Sequence, residues 1–246
     1  MKIYSGSEIR NVAIVGHNDT GKTTLVSQLL FNSGATTRLG RIDDGTTATD
    51  FDADEIERKH SISTAVAYAE WKDTKINLLD TPGFGIFIME AKTALRVADS
   101  AAIVVSGVTG VEVTTERVWK FAEEYHLPRI ILVNKMDRER ASFTRTLEAL
   151  QKKFSKNVVP IQLPIGEEKD FSGVVDLISM KAYRYASDGS GKYEVGDIPD
   201  HLKADAADWR EKLIEKVAEG DDTLMERFFD QGGLSQEELI DGMNRE

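Results

Sequence analysis

Cysteine is missing from the 246-residue sequence, which removes disulfides, thiolate nucleophiles and cysteine-held metals from consideration. The four histidines, His17, His60, His126 and His201, are too scattered for a histidine zinc site. No apolar run approaches the length of a bilayer span, and stretches such as Ala101–Val105 are typical of the chain. The opening residues are polar and lack the apolar core of a signal peptide. No membrane association is therefore expected, and the cytoplasm is the expected location. Basic residues are in deficit: 31 Lys plus Arg stand against 42 Asp plus Glu, a net charge of −11. So acidic a chain is a poor stand-alone binder of nucleic acid, whose non-specific affinity comes from cations meeting phosphates. Docking on a ribonucleoprotein through local patches stays open. What is present, 41% hydrophobic and 30% charged residues, is ordinary globular composition and excludes disorder.

The first half alternates buried-strand and helix patterns, as in a mostly parallel sheet covered by helices. The spacing predicts strands over 11–16, 64–71, 75–80, 100–106 and 129–134, and helices over 22–32, 86–98, 112–125 and 141–154. Between Arg38 and Ser63 the pattern fails, leaving a polar stretch longer than ordinary connections and expected to be functional or mobile. From about Asn157 the texture changes to short strands over 158–164, 173–178 and 182–185, with a turn at Gly189–Gly191. An amphipathic helix over 203–218 follows, with Ala206, Trp209, Leu213 and Val217 on one face. Thr223 with Glu226, and Ser235 with Glu238, have capping-box spacing for two more helices. Two domains are expected, 1–156 and 157–246, the second a separate α+β unit.

Three motifs carry chemistry. Gly16-His17-Asn18-Asp19-Thr20-Gly21-Lys22-Thr23 fits G-x-x-x-x-G-K-[ST] between a strand and a helix. That spacing lets successive backbone N–H groups wrap a phosphate at a helix N-terminus. Lys22 then adds charge to the outer phosphates, the Thr23 hydroxyl can coordinate Mg²⁺, and Thr24 can reach an inner phosphate. Asp19 is odd in such a loop; an outward, solvated carboxylate and a ligand for a monovalent cation both fit. Asp80-Thr81-Pro82-Gly83 ends the third predicted strand, with the Asp80 carboxylate toward the Mg²⁺ shell and the Gly83 N–H free to meet a terminal phosphate. Asn134-Lys135-Met136-Asp137 ends the fifth. There Asp137 offers acceptors for the N1–H and N2–H₂ of guanine, Asn134 can orient the base loop, and the Lys135 stem can lie over the ring. Each motif falls at the C-terminal end of a buried strand, where open α/β sheets bind ligands. The order and register of the three point to a guanine-nucleotide domain.

G-H-x-x-x-G-K-T-T, D-T-P-G and N-K-M-D resemble the translational GTPases. The stretch 160–166 (P-I-Q-L-P-I-G), with 171–177 (F-S-G-V-V-D-L) and Met180-Lys181-Ala182, resembles the insertion in the nucleotide domain of the elongation factor G family. The likeness covers essentially the whole chain. It implies an α/β fold of P-loop NTPase type, a mostly parallel sheet flanked by helices with an inserted α+β subdomain over 157–246. It also implies a GTPase using GTP/GDP and Mg²⁺, a monomer that works on the ribosome, driving a translocation-like step and hydrolysing slowly without it. Switching would come from the 38–63 loop, ordered by γ-phosphate and Mg²⁺. The chain departs from the family pattern in three places. Residues 57–62 read E-R-K-H-S-I where the family has E-R-G-I-T-I, so Ser61 stands at the metal-closing Thr position. Phe84 stands where the family has a His that positions the attacking water; a phenyl ring cannot hydrogen-bond water, so slow or differently assisted hydrolysis is expected. The family's sixth strand and its S-A motif are not found by Glu246, which reads as an N-terminal fragment of a divergent paralogue. A GTP-dependent ribosome-docking or recycling factor with little hydrolysis is the alternative.

Overall fold

In the computed structural model, which describes residues 2–186 and 191–244, the chain divides into two compact units, Met1–Lys135 and Met136–Glu246. The expected turn at Gly189–Gly191 lies largely outside the described residues.

In the first unit the order is β1 (Ile9–Gly16), α1 (Lys22–Asn32), α2 (Ala53–Arg58), β2 (Ala65–Trp71), β3 (Thr74–Asp80), α3 (Ile88–Val97), β4 (Ser100–Ser106), α4 (Val113–Glu124) and β5 (Arg129–Asn134). The five strands form one sheet in the order β2-β3-β1-β4-β5. All neighbours are parallel except β2, which runs antiparallel to β3. Side chains of a strand alternate between faces, yet Ala13, Ile14 and Val15 are all buried, as are Ile103, Val104 and Val105. Both faces are therefore covered, which is why these strands read as unbroken apolar runs. On one side Val26 and Leu30 of α1 meet Ile14, Leu78 and Val104. Ala91, Ala94 and Leu95 of α3, and Val118 and Ala122 of α4, are buried at helical spacing.

In the second unit α5 (Phe143–Lys153) is followed by β6 (Gln162–Ile165), β7 (Gly173–Asp176), β8 (Lys181–Tyr185) and β9 (Tyr193–Gly196), then α6 (Lys203–Glu219), α7 (Asp222–Gln231) and α8 (Gln236–Met243). The strands form an antiparallel meander in chain order. Leu163, Ile165, Val175, Leu177 and Ala182 meet Ala206, Leu213, Val217, Leu224 and Leu239 in one core. The first strand of this sheet is shorter than its sequence pattern, because Pro160 has no N–H for a ladder; Pro164 is tolerated since β6 is an edge. Helix α8 has the expected box between Ser235 and Glu238, but α7 is capped by Asp221, whose carboxylate accepts from the Thr223 and Leu224 N–H groups. The lead-in to α5 is tied within this unit: Glu168 N donates to Met136 O, Arg140 N to Glu168 Oε1, and Phe143 N to Glu167 Oε1. Phe143 also packs on the second core. Compactness thus assigns α5 to the second unit, whereas the strand–helix alternation that suggested 156/157 continues through it.

Leu177 is fully buried. Leu177→Ala is expected to lower the stability of the second unit by about 2–5 kcal/mol through lost contacts and the cavity left behind. Urea unfolding followed by circular dichroism should show an earlier transition, and an unmoved midpoint would contradict this account of the core.

Candidate functional site

The C-terminal ends of β1 and β3, and the segments that follow them, converge. Gly16 closes β1 with a positive φ of 148°, and a Cβ there would overlap the Val104 carbonyl. The loop then turns through Asp19 (φ 58°) and Gly21 (φ 95°) into α1, so that backbone N–H groups open the helix without side-chain caps. At the end of β5, Asn134 braces this loop: its Nδ2 donates to Thr20 O at 2.8 Å. Thr20 is itself buried, donating to His17 O at 3.0 Å, and Asn18 donates to the Asp19 carboxylate. His17 Nε2 lies 3.4 Å from Glu112 Oε1, while its Nδ1 is buried with no hydrogen-bond partner.

Lys22 folds back into the loop, 6% exposed, and donates to His17 O at 2.9 Å. Burial pushes its ammonium down to about 8, against the pull of the Asp80, Asp19 and Asp50 carboxylates. The turn after β3 presses on the same spot. A Cβ on Gly83 would sit 2.6 Å from Asn18 N and 2.5 Å from Lys22 Nζ, so only glycine allows this approach. Thr81 is fully buried and donates its hydroxyl to Ile14 O at 2.8 Å, which fixes the turn to β1. Its side chain therefore serves the frame, as does the neighbouring buried Pro82.

Beside Lys22 lies a group of oxygens. Thr23 Oγ1 is 3.2 Å from Ser61 Oγ, which donates to Asp50 Oδ1 at 2.6 Å; Thr49 Oγ1 donates to Asp80 Oδ2 at 2.7 Å. Asp80 Oδ1 and Asp50 Oδ2 are buried without partners. Burial raises both carboxyls, that of Asp80 to about 6, with the Thr49 and Thr23 hydroxyls and Lys22 opposing. Among the described residues no three His, Cys, Asp or Glu side chains gather as a metal cage. Two carboxylates with free lone pairs amid hydroxyls nonetheless fit Mg²⁺, which takes few protein oxygens and fills its shell from water and phosphate. Thr49 and Asp50 escaped the sequence reading, as did the burial of Glu55. The 38–63 stretch is not a bare polar loop: Thr47, Thr49, Asp50 and Glu55 are buried, and α2 lies within it. The Glu55 carboxylate accepts from the Ile62 and Ser63 N–H groups at 2.8 and 3.1 Å.

The first unit thus brings together Gly16 through Thr24, Asp80 through Gly83, Ser61 and Asn134. Lys135 follows Asn134 with a positive φ of 60°. Asp137 belongs to the second unit; it is largely exposed, 3.7 Å from Arg138 Nε. Phe84 packs edge-on against His60, ring centroids 4.7 Å apart at 62°.

The family described as "Elongation factor Tu GTP binding domain" matches residues 7–231. Elongation factor G of Thermotoga neapolitana is 43% identical over 232 residues, 94% of this chain and 33% of that protein. Elongation factor G of another Thermotoga species is 42% identical over the same share of each. The crystal structure of ttk003000868 from Thermus thermophilus superposes with a TM-score of 0.88 at 35% identity, covering 96% of this chain and 35% of that one. The chain spans about a third of the length of the curated relatives it matches.

Removing the Glu55 carboxylate should free the end of the 38–63 segment, since hydrogen bonds to a charged group contribute about 1.5–3 kcal/mol. Glu55→Ala is expected to speed limited proteolysis between residues 38 and 63 while leaving cleavage elsewhere unchanged. Equal protection of the variant would show that the segment is held by other contacts.

Proposed function

The chain belongs to the elongation factor Tu GTP-binding domain family, and from that footing we propose that it binds GTP with Mg²⁺ and hydrolyses it to GDP and phosphate, in service of a ribosome-linked step of the elongation factor G kind. The observation that carries the reading is the buried Lys22 ammonium, folded into a glycine-lined backbone cradle beside Asn18 N. Main-chain N–H groups of residues 18–24 would hold the phosphates, with Lys22 on the outer ones and the Gly83 N–H beside them. Thr23 and Ser61 hydroxyls and the Asp80 carboxylate, through water, would hold Mg²⁺, whose charge offsets that of the β- and γ-phosphate oxygens. His17, Asn18, Asp19 and Thr20 shape the loop, while Thr81 and Pro82 hold the following turn in place. Asn134, Lys135 and Asp137 would receive guanine, with Asp137 choosing the base. Residues 1–156 would then be the nucleotide domain and 157–246 its insertion, in a monomeric cytoplasmic protein. Phe84 favours one second reading, a GTP-dependent docking or recycling factor with little turnover of its own. Phosphate release with and without ribosomes separates the two.

Titration with GTP tests the cradle: Lys22→Ala should abolish measurable binding, and retained micromolar affinity would refute the role of Lys22. Asp137→Asn should weaken GTP about 10–100-fold, the value of one lost hydrogen-bond pairing to a charged group, and strengthen xanthosine triphosphate. A variant that keeps strict GTP preference would remove Asp137 from the base site.

A further inference from the structure

We propose that His60 orients the water that attacks the terminal phosphate, with Phe84 as the apolar wall that sets its imidazole; this inference rests on the GTPase reading above. Phe84 directly follows Gly83, the residue pressed against Lys22 and Asn18. Its phenyl ring brings no hydrogen-bonding group beside Gly83. Its ring instead meets the His60 ring edge-on, centroids 4.7 Å apart, an arrangement aromatic pairs favour. His60 in turn directly precedes Ser61, whose hydroxyl lies 3.2 Å from Thr23 Oγ1. The two rings are thus each one residue away from the groups that frame the phosphate and metal sides of the cradle. A cleft of about 370 Å³ opens beside them, lined by Asp54, Arg58, His60, Phe84 and Phe87 among others.

The chemistry of the neighbours singles out the imidazole. Asp50 and Asp80 each keep one oxygen unpartnered, but on a carboxylate whose negative charge a triphosphate repels. Asp54 is an exposed carboxylate, whose negative charge a triphosphate repels. A neutral imidazole accepts a hydrogen bond without that charge. With the proton on Nδ1, facing Ser61 O at 3.4 Å, Nε2 is left as the acceptor. In the step it serves, the water oxygen forms a bond to the γ-phosphorus and the bond to the β–γ bridging oxygen breaks, its electron pair leaving on GDP. One water proton departs with the inorganic phosphate and the other passes to solvent. His60 holds the water through a hydrogen bond and keeps no proton.

The 246-residue chain with Mg²⁺, its His60→Leu and its His60→Gln variants decide the matter by two measurements, GTP affinity and single-turnover hydrolysis with protein in excess. His60→Leu should bind GTP as the parent does while hydrolysing it about 10²-fold more slowly, the low end of what such groups contribute. His60→Gln should keep most of the rate, because its amide oxygen also accepts from water. Parental hydrolysis by the Leu variant, equal loss in both variants, or loss of GTP affinity in both would overturn the assignment. So would a parent that binds GTP and leaves it intact for a day. A parent that binds no GTP would instead defeat the GTPase reading itself, and this inference with it.

Discussion

A buried ammonium sets the terms for this structure. Lys22 is 6% exposed, and taking it out of water lowers its pKa from 10.5 to about 8. A displacement of that size costs the folded chain on the order of 3 kcal/mol. The sign is that of a depressed cation: the cost is full below about pH 8 and fades as the pH climbs toward 10.5. One donor reaches the His17 carbonyl, and the Lys22 ammonium and Asn18 N both border the space over Gly83. A cation and a main-chain nitrogen at one spot make a setting that favours an anion.

The sheet is what makes that convergence cheap. Gly16 pairs with Val104, Ile14 with Asp80, and Ser106 with Asn134, so parallel pairing brings the C-terminal ends of β1, β3 and β5 to one edge. The antiparallel strand serves the same end by another route. β2 starts at Ala65, opposite Asp80, and running backwards along β3 means that its entry lies where β3 finishes. The 38–63 segment is therefore delivered to the edge where β1 and β3 end by strand direction alone, and Thr64 N donating to Glu90 Oε2 fastens its end there.

This division explains what could be read in advance. Strands buried on both faces appear as apolar runs, and motifs at their ends inherit their placement, so it was legible that Gly16–Thr24, Asp80–Gly83 and Asn134 lie at one edge of the sheet. Thr49, Asp50 and Glu55 were not. They are buried with hydrogen bonds made inside the fold, Thr49 to Asp80, Asp50 from Ser61 and Glu55 from the Ile62 and Ser63 N–H groups, and a polar residue buried by its partners has the same letter as one in water. The D-x-x-E spacing of Asp52 and Glu55 was nevertheless available as a capping signal for α2. The edge strand β9 gave no pattern because Tyr193 and Val195 are both exposed. The tie between Glu167–Glu168 and the start of α5 joins residues more than twenty apart through backbone N–H groups, which carry no side-chain signature.

The same physics bears on how the 38–63 segment could act as a switch. Asp80 stands on β3, fixed by the sheet, while Asp50 stands on the segment; each is buried with one oxygen unpartnered and its carboxyl raised by burial. Two such carboxylates near one another disfavour the closed segment, and Lys22 can offset only part of that charge. Closure is thus held by the hydrogen bonds of Ser61 to Thr23 and Asp50, and of the Ile62 and Ser63 N–H groups to Glu55. Asp50 and Asp80 would both be drawn to a divalent cation held among these oxygens, which would offset their repulsion. On the proposed reading, the segment's order would depend on the charge bound beside Lys22, the property a nucleotide switch requires.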